Sequence, residues 1–171
     1  MRAAIFHENG GPEVVRIEKL PRPVPGAGEV LLEVRAAALN HLDLWVRRGL
    51  PIETTMPHVG GSDVAGVVVE AGEGVDAARI GERVVLNPSL WCGECEWCRR
   101  GEESMCLRYR IIGEHTNGGF TEFLAVPPEA PSTSTSSPGW RRARECRARH
   151  AVMYDTGSAA ASSNATESGR R

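Results

Sequence analysis

The length, composition and charge of the chain exclude several classes of protein. Its 171 residues suffice for one domain, or for one domain and a tail, but not for two full domains. With 20 basic and 22 acidic side chains, the formal charge is −2, so the sequence lacks the excess of positive charge that favours binding to nucleic acid or an anionic membrane. Charges interrupt the apolar start and no apolar run approaches the roughly 20 residues that span a bilayer, which predicts a cytoplasmic protein. A small neutral molecule is the expected partner.

Short segments rich in valine, leucine and isoleucine, separated by glycine and proline, predict a mainly β domain over residues 1–130. The strands are predicted at 14–17, 30–34, 64–69, 83–86 and 120–126.

One short helix is predicted between the second and third of these strands. Asn40 can cap its start, Asp43 lies near the positive end of the helix dipole, and Gly49 can end it. Helical spacing then places Leu42, Trp45 and Val46 on one face.

A glycine pair after the third strand is the one partial match to a dinucleotide-binding turn. Such a turn leads from a strand into a helix whose amino terminus binds the pyrophosphate. Between Gly72 and the predicted strand at Arg83 there is no room for that helix. We therefore interpret 72–77 as a tight turn, and the sequence offers no cofactor-binding residues.

Four of the five cysteines lie within fifteen residues, at Cys92, Cys95, Cys98 and Cys106. This spacing supplies four thiolates, which can close a tetrahedral zinc shell and leave no position for substrate. The sequence therefore predicts one structural zinc that organises a polar loop.

Three alternatives to this interpretation of the cluster remain open. Ferredoxins begin with similar spacing, but their fourth cysteine follows after three residues and precedes proline, whereas here seven residues intervene and Leu107 follows. A nucleic-acid-binding ribbon requires two separated cysteine pairs, and acidic residues offset the local arginines. Four unrelated buried cysteines fit the Gly- and Glu-rich intervals poorly.

After residue 130 the composition changes to serine, alanine and arginine without apolar periodicity. Residues 131–171 are therefore predicted to be a low-complexity, disordered tail. Either a truncated chain or a reading frame lost near Ala130 would explain the change.

The cysteine segment resembles the structural-zinc lobe of zinc-type alcohol dehydrogenases, which belong to the medium-chain dehydrogenase/reductases. Six positions match that pattern: Cys92, Gly93, Cys95, Cys98, Gly101 and Cys106. The flanking segments 28–34, 60–75, 81–85 and 118–123 also resemble the family, in its order and spacing. The resemblance implies a GroES-like, partly barrelled β-domain with a short helix and a structural-zinc lobe. In the family, this domain forms one wall of a cleft, a Rossmann domain binds NAD or NADP opposite it, and the intact proteins are usually homo-oligomers.

The chain departs from that family where a cysteine and a histidine bind a catalytic zinc, because Asn40 and Ser62 occupy those positions. Both are poor zinc ligands. The two segments instead resemble quinone oxidoreductases, which transfer hydride directly from NADPH. The resemblance implies that Asn40, Ser62 and Asp63 act on a small carbonyl or quinone and that Trp45 and Arg47 bind it. The alternatives remain a helix cap for Asn40, turn hydrogen bonds for Ser62 and Asp63, a core position for Trp45 and a solvated charge for Arg47.

Two functions follow from these observations. The first is the substrate-side domain of a zinc-containing NAD(P)-dependent reductase, inactive as this chain alone because the Rossmann domain is expected to be absent. The second is a stand-alone structural-zinc module that docks a protein partner. The first function predicts an exposed apolar patch around Trp45 and Val59, where a second domain would pack.

Overall fold

Strands dominate the part of the chain that the structure, a computed structural model, describes: residues 1–52 and 54–133. The strands are β1 (Arg2–Phe6), β2 (Arg16–Lys19), β3 (Val30–Ala38), β4 (His58–Val59), β5 (Asp63–Ala71), β6 (Arg83–Leu86), β7 (Ser89–Leu90), β8 (Arg110–Ile111), β9 (Phe123–Val126) and β10 (Pro131–Thr133). The α-helices are α1 (His41–Arg48) and α2 (Glu96–Arg99), and 3-10 helices lie at Pro12–Val14, Ala77–Arg79 and Glu103–Met105. The mainly β fold class is confirmed.

The strands form three open sheets in which every described pairing is antiparallel. A five-stranded sheet has the order β10-β6-β5-β3-β9, a three-stranded sheet the order β2-β1-β4, and β7 pairs with β8. The first two sheets are joined where the Ala4 amide donates to the Phe120 carbonyl (2.8 Å) and Ala3 forms a bridge with Thr121.

The main core covers one face of the five-stranded sheet. Its buried strand residues recur with a spacing of two, which is the period that directs side chains to one side of a strand. The members on the strands are Val30, Leu32, Val64, Val68, Val84, Leu86, Leu124 and Val126. A second, smaller cluster joins the two larger sheets through Ala3, Ile5 and Val59, with Phe120 packed against it. Each fully buried aliphatic side chain of this kind stabilises the fold by about 1.5–3 kcal/mol.

The predicted strands differ from the observed ones mainly at their ends. Strand 83–86 is found as predicted, and 30–34 and 64–69 extend to 30–38 and 63–71. The first predicted strand begins two residues later, at Arg16, because a 3-10 helix occupies Pro12–Val14. The last begins at Phe123 rather than at residue 120.

Helix α1 begins and ends where its caps predict. The Asn40 side chain accepts the Leu42 amide, Asp43 accepts the Asn40 amide in a capping box, and Gly49 follows the last helical residue. Segment 72–77 is a turn that leads into a single 3-10 turn, as predicted.

Strand β10 continues the five-stranded sheet as far as Thr133 by pairing with β6, so ordered pairing passes the predicted boundary at residue 130. The remainder of the predicted tail, 134–171, lies outside the described residues. Within the described ranges, no helix combines the length and hydropathy needed to cross a membrane.

Candidate functional site

The four clustered cysteines converge on one point. Their sulfur atoms all lie within 4.8 Å of one another, and Cys106 is buried while the other three are half-buried. The closest pairs are Cys95–Cys98 and Cys92–Cys106, both 3.5 Å apart, and Cys92–Cys98 is 3.9 Å apart. Zinc–sulfur bonds of about 2.3 Å in a tetrahedron place the sulfurs about 3.8 Å apart. The sulfur positions therefore fit one zinc ion.

Backbone amides point at these sulfurs, as the shell around a thiolate centre requires. The Cys95 amide donates to Cys92 Sγ (3.4 Å), and Cys106 Sγ accepts the amides of Cys92 (3.4 Å) and Arg108 (3.3 Å). The Cys95 amide is the main reason that the pKa of Cys92 falls to about 6, whereas desolvation raises the pKa of Cys98 to about 12. Four thiolates this close repel one another, so a dication between them is what allows all four to ionise.

The cysteines lie on a lobe between β7 and β8, and the pairing of these two strands joins the lobe to the rest of the domain. The Ser89 and Tyr109 hydroxyls are 2.7 Å apart beside that pair and tie the two ends of the lobe together. Gly93 (φ 73°) and Gly101 (φ 76°) take left-handed conformations beside the cysteines, which other residues adopt at a cost. The two glycines of the predicted pattern are therefore needed for the path of the chain.

Two arginines of the lobe lie beside acidic residues. Arg108 forms an ion pair with Glu94, and Arg100 lies 3.7 Å from Glu96. These pairs reduce the positive charge that a nucleic-acid-binding ribbon would need.

A second polar group lies at the amino terminus of α1. The Asn40 side chain donates from Nδ2 to Asp63 Oδ2 (2.9 Å), and its Oδ1 accepts the Leu42 amide (3.2 Å). The amide orientation is thereby fixed, and both Asn40 and Asp63 are exposed. Two of the three predicted catalytic residues are in contact.

Ser62, the third, lies beneath the surface. It is 3 % exposed, and its hydroxyl donates to the Ile112 carbonyl (2.8 Å). Its single proton is used there, in a bond to a segment fifty residues away rather than within its own turn.

Asp43 connects the two segments that carry these residues. Its carboxylate accepts the Asn40 amide (2.7 Å) at one oxygen and the Gly61 amide (2.9 Å) at the other. Burial raises the pKa of Asp43, and the two amide hydrogen bonds counteract the increase. Asp43 thus holds the loop before β5 against the start of α1.

The two predicted substrate-binding residues lie in different surroundings. Trp45 is 53 % exposed, with its ring 6.0 Å from the His41 ring, so it does not belong to the core. Arg47 is buried rather than solvated, and its guanidinium donates to the Gly10 carbonyl. The predicted apolar face was wrong for Trp45, because the inward side of α1 also makes polar contacts through Arg47.

The predicted exposed patch around Trp45 and Val59 is found only in part. Trp45 is exposed, but Val59 is 3 % exposed because β4 pairs with β1 over the second core cluster. Other apolar side chains near α1 are open to solvent instead, among them Leu39 and Leu44.

Comparisons with known proteins assign the fold and its cysteine lobe to one family. The alcohol dehydrogenase GroES-like domain matches residues 26–133. The chain belongs to the alcohol dehydrogenase family. An alcohol dehydrogenase of Schizosaccharomyces pombe is 40 % identical over 125 residues, which cover 71 % of this chain and 35 % of that protein.

Two solved structures of alcohol dehydrogenases are similar over the same region. An NAD-dependent alcohol dehydrogenase has a TM-score of 0.75 and 46 % identity, covering 78 % of this chain and 39 % of that one. A cobalt- and zinc-bound thermostable alcohol dehydrogenase from Pyrobaculum aerophilum has a TM-score of 0.74 and 40 % identity, covering 80 % and 41 %. The chain spans 35–41 % of the length of these three alcohol dehydrogenases.

Sequence analysis missed two residues that join distant parts of this alcohol dehydrogenase domain. Asn9 donates from Nδ2 to the Val46 and Arg47 carbonyls at the end of α1 (3.0 and 3.3 Å). His58 is buried against Phe6, with Nε2 3.1 Å from the Gly113 carbonyl. The bonds of Asn9 and His58 join residues 37 to 55 positions apart, and no local pattern reveals such pairs.

Proposed function

We propose that the chain is the substrate-side domain of an NAD(P)-dependent reductase in the alcohol dehydrogenase family, acting on a small carbonyl or quinone. The observation that carries this proposal is the contact between Asn40 and Asp63 at the head of α1. At the positions where the resemblance places the ligands of a catalytic zinc the chain has an amide and a hydroxyl, Asn40 and Ser62, and the carboxylate of Asp63 follows directly. The proposed reaction is direct hydride transfer from the nicotinamide, with the carbonyl oriented by hydrogen bonds.

We propose one structural zinc, held by Cys92, Cys95, Cys98 and Cys106. With four thiolate ligands the ion has no open position, so it supplies folding energy to the lobe and no Lewis acid to the substrate. The sulfur spacing and the three amide donors support this assignment.

Asn40 is proposed to bind the substrate oxygen. Its amide has two N–H groups, one of which is engaged by Asp63, while the Oδ1 bond to the Leu42 amide prevents the group from flipping. The second N–H can donate to a carbonyl oxygen as negative charge develops there. Removing one such donor lowers turnover by roughly 10²–10³-fold in enzymes that depend on it.

Trp45 and Ser62 are proposed to act differently from Asn40. The exposed Trp45 ring provides a flat apolar surface on which a quinone can stack. Ser62, with its hydroxyl bonded to Ile112, is a positioning residue that fixes the start of β5 and so the place of Asp63. Arg47 likewise positions α1 against Gly10.

An in-frame fusion tests the proposal. Residues 1–133 are joined to the part of the Schizosaccharomyces pombe alcohol dehydrogenase that follows the matched region, and NADPH oxidation is measured with quinones and enones. We expect turnover with one zinc per chain and a loss of roughly 10²–10³-fold in kcat for Asn40→Ser. Serine caps a helix as well as asparagine, but its side chain is one bond shorter and places no donor at the position of Asn40 Nδ2, so this variant separates catalysis from folding.

Two outcomes would contradict the proposal. Unchanged turnover of Asn40→Ser would remove Asn40 from the substrate site. A folded, zinc-loaded fusion without turnover on any carbonyl would favour the stand-alone zinc module that docks a protein partner.

A further inference from the structure

A cleft with a volume of about 340 Å³ lies between residues 101–104 of the cysteine lobe and the segment 87–91 at its base. Two aromatic side chains, Trp91 and Tyr109, and two acidic ones, Glu102 and Glu103, line it. The Tyr109 hydroxyl lies 2.7 Å from Ser89 Oγ, so the ring is the part of Tyr109 that remains for a ligand. The cleft therefore combines aromatic rings with carboxylates, and both groups bind the guanidinium of arginine.

The two carboxylates of the cleft have no counter-charge in the described part of the chain. Within residues 1–52 and 54–133, neither Glu102 nor Glu103 forms a salt bridge, and no basic side chain lines the cleft. The other two acidic residues of the lobe are paired with Arg108 and Arg100. A cationic occupant is therefore favoured over a neutral or an anionic one.

The chain divides its charge unequally between the described domain and the residues that follow it. Residues 1–133 contain 13 basic and 19 acidic side chains, a formal charge of −6, whereas residues 134–171 contain seven basic and three acidic ones, a formal charge of +4. Five of those seven basic side chains are arginines within residues 141–149, RRARECRAR, here called the arginine segment. This segment lies outside the described residues, and its charge is opposite in sign to that of the cleft and of the domain.

The arginine segment begins close enough to the cleft to reach it. Strand β10 pairs Thr133 with Val84, three residues before Asn87, which lines the cleft, and three strand residues span about 10 Å. Arg141 follows Thr133 by eight residues, which span at most about 26–29 Å. A short tether gives an effective concentration of about 1 mM, so contacts too weak to hold a separate peptide are populated within one chain.

We propose that the arginine segment docks in this cleft of the same chain, with arginine side chains paired to Glu102 and Glu103 and stacked on the Trp91 ring. The proposal is independent of the proposed activity, since neither the cleft nor the segment includes a residue at the head of α1. Because ion pairs at the surface are screened by salt, the docking weakens as the ionic strength rises.

A spin label on Cys146 tests this inference in the full chain. Cys146 lies inside the arginine segment and is the one cysteine outside the proposed zinc ligands, so the zinc-loaded 171-residue chain can be labelled there alone. We expect paramagnetic broadening of the amide signals of residues 87–91 and 101–104 at about 0.02 M salt, and its loss at about 0.5 M salt.

The double variant Glu102→Gln with Glu103→Gln should reduce this broadening at least about threefold, since it removes both acceptor charges. Glu8→Gln with Glu73→Gln is the matched control, because it removes the same two charges from exposed positions that do not line the cleft. The control should change the broadening less than about 1.5-fold. Zinc content and the unlabelled amide spectrum check that both variants are folded.

Absence of localised broadening at low salt would overturn the proposal. An equal reduction in the two double variants would also overturn it, because the attraction would then belong to the charge of the whole domain and not to the cleft. A mixture of spin-labelled chains with isotope-labelled chains that carry no spin label provides the last check. Broadening in that mixture as strong as within one chain would show that the segment docks on a second copy, which would refute docking within the same chain.

Discussion

The buried carboxylate of Asp43 accepts one backbone amide at each of its two oxygen atoms. An asparagine side chain has only one acceptor oxygen and therefore cannot replace both bonds. In Asp43→Asn, one oxygen can still accept the Asn40 or the Gly61 amide, but the NH₂ group faces the other N–H. A buried donor without a partner costs about 1–3 kcal/mol. We expect the free energy of unfolding to fall by that amount in urea titrations followed by tryptophan fluorescence.

Asp63→Asn is the control for this prediction. Asp63 is exposed, and among residues 1–52 and 54–133 its carboxylate accepts only the Asn40 side chain, so the change should stay within about 0.5 kcal/mol. Equal losses in the two variants would mean that Asp43 acts as an ordinary cap.

His58 makes the stability of the domain depend on pH. Burial lowers its pKa below the usual 6.5, and the backbone acceptors at Gly113 and Thr55 counteract the shift only in part. Below pH 6.5 the unfolded chain therefore binds more protons than the native one, so stability is lost as the pH falls from 6.5 through the lower native pKa.

The variant His58→Gln isolates this effect, since glutamine can donate to the Gly113 carbonyl but does not titrate. We expect the unfolding free energy of the parent chain to fall more steeply than that of the variant between pH 7 and pH 5. Parallel pH profiles would show that His58 is not protonated on unfolding.

At the scale of single residues, sequence patterns predicted the cap residues of α1 correctly, but they did not predict which side chains are buried and which are exposed. Asn40, Asp43 and Gly49 were predicted from cap chemistry, which acts within a few residues. The inward turn of Arg47 and the exposure of Trp45 depend on Gly10 and on the neighbouring strands, which are distant in sequence. Burial of Ser62 likewise depends on Ile112, fifty residues away.

At the scale of elements, the fold of the cysteine lobe depends on its thiolate ligands to zinc. In Cys95→Ser the hydroxyl replaces a thiolate that lies 3.5 Å from Cys98 Sγ, and serine is a poor zinc ligand. We expect the zinc content to fall from one per chain toward zero and the amides from about Trp91 to Leu107 to exchange rapidly.

Cys146→Ser provides the comparison, because it removes the fifth cysteine, which belongs to no predicted ligand set. It should retain one zinc. Iron, or two zincs per chain, in elemental analysis of the parent protein would contradict the proposed metal site.

Element boundaries show where local patterns stop being informative. The end of β3 was predicted at Val34, yet pairing with β5 carries the strand to Ala38 through three alanines, whose strand propensity is low. β1 was not predicted at all, because Arg2 and two alanines weaken its pattern, and it forms by pairing with β2 and β4. Both are cases in which tertiary pairing overrides local preference.

For the whole molecule, the proposed function makes the described domain one side of a hydride-transfer reaction. Hydride transfer requires the nicotinamide carbon within about 3.5 Å of the substrate carbon, a proximity worth roughly 7–11 kcal/mol of the barrier. Within the described residues, the glycine-rich turn after β5 leads into a 3-10 helix of three residues, Ala77–Arg79, which provides no long helix terminus for a pyrophosphate.

We therefore expect the 171-residue chain to show no saturable NADPH binding and no quinone or alcohol turnover, even with its zinc lobe intact. Titration with NADPH, followed by cofactor fluorescence, measures this directly, and the fusion enzyme serves as the positive control. Saturable binding in the micromolar range by the chain alone would reveal a cofactor site in this chain and refute its assignment as a substrate-side domain only.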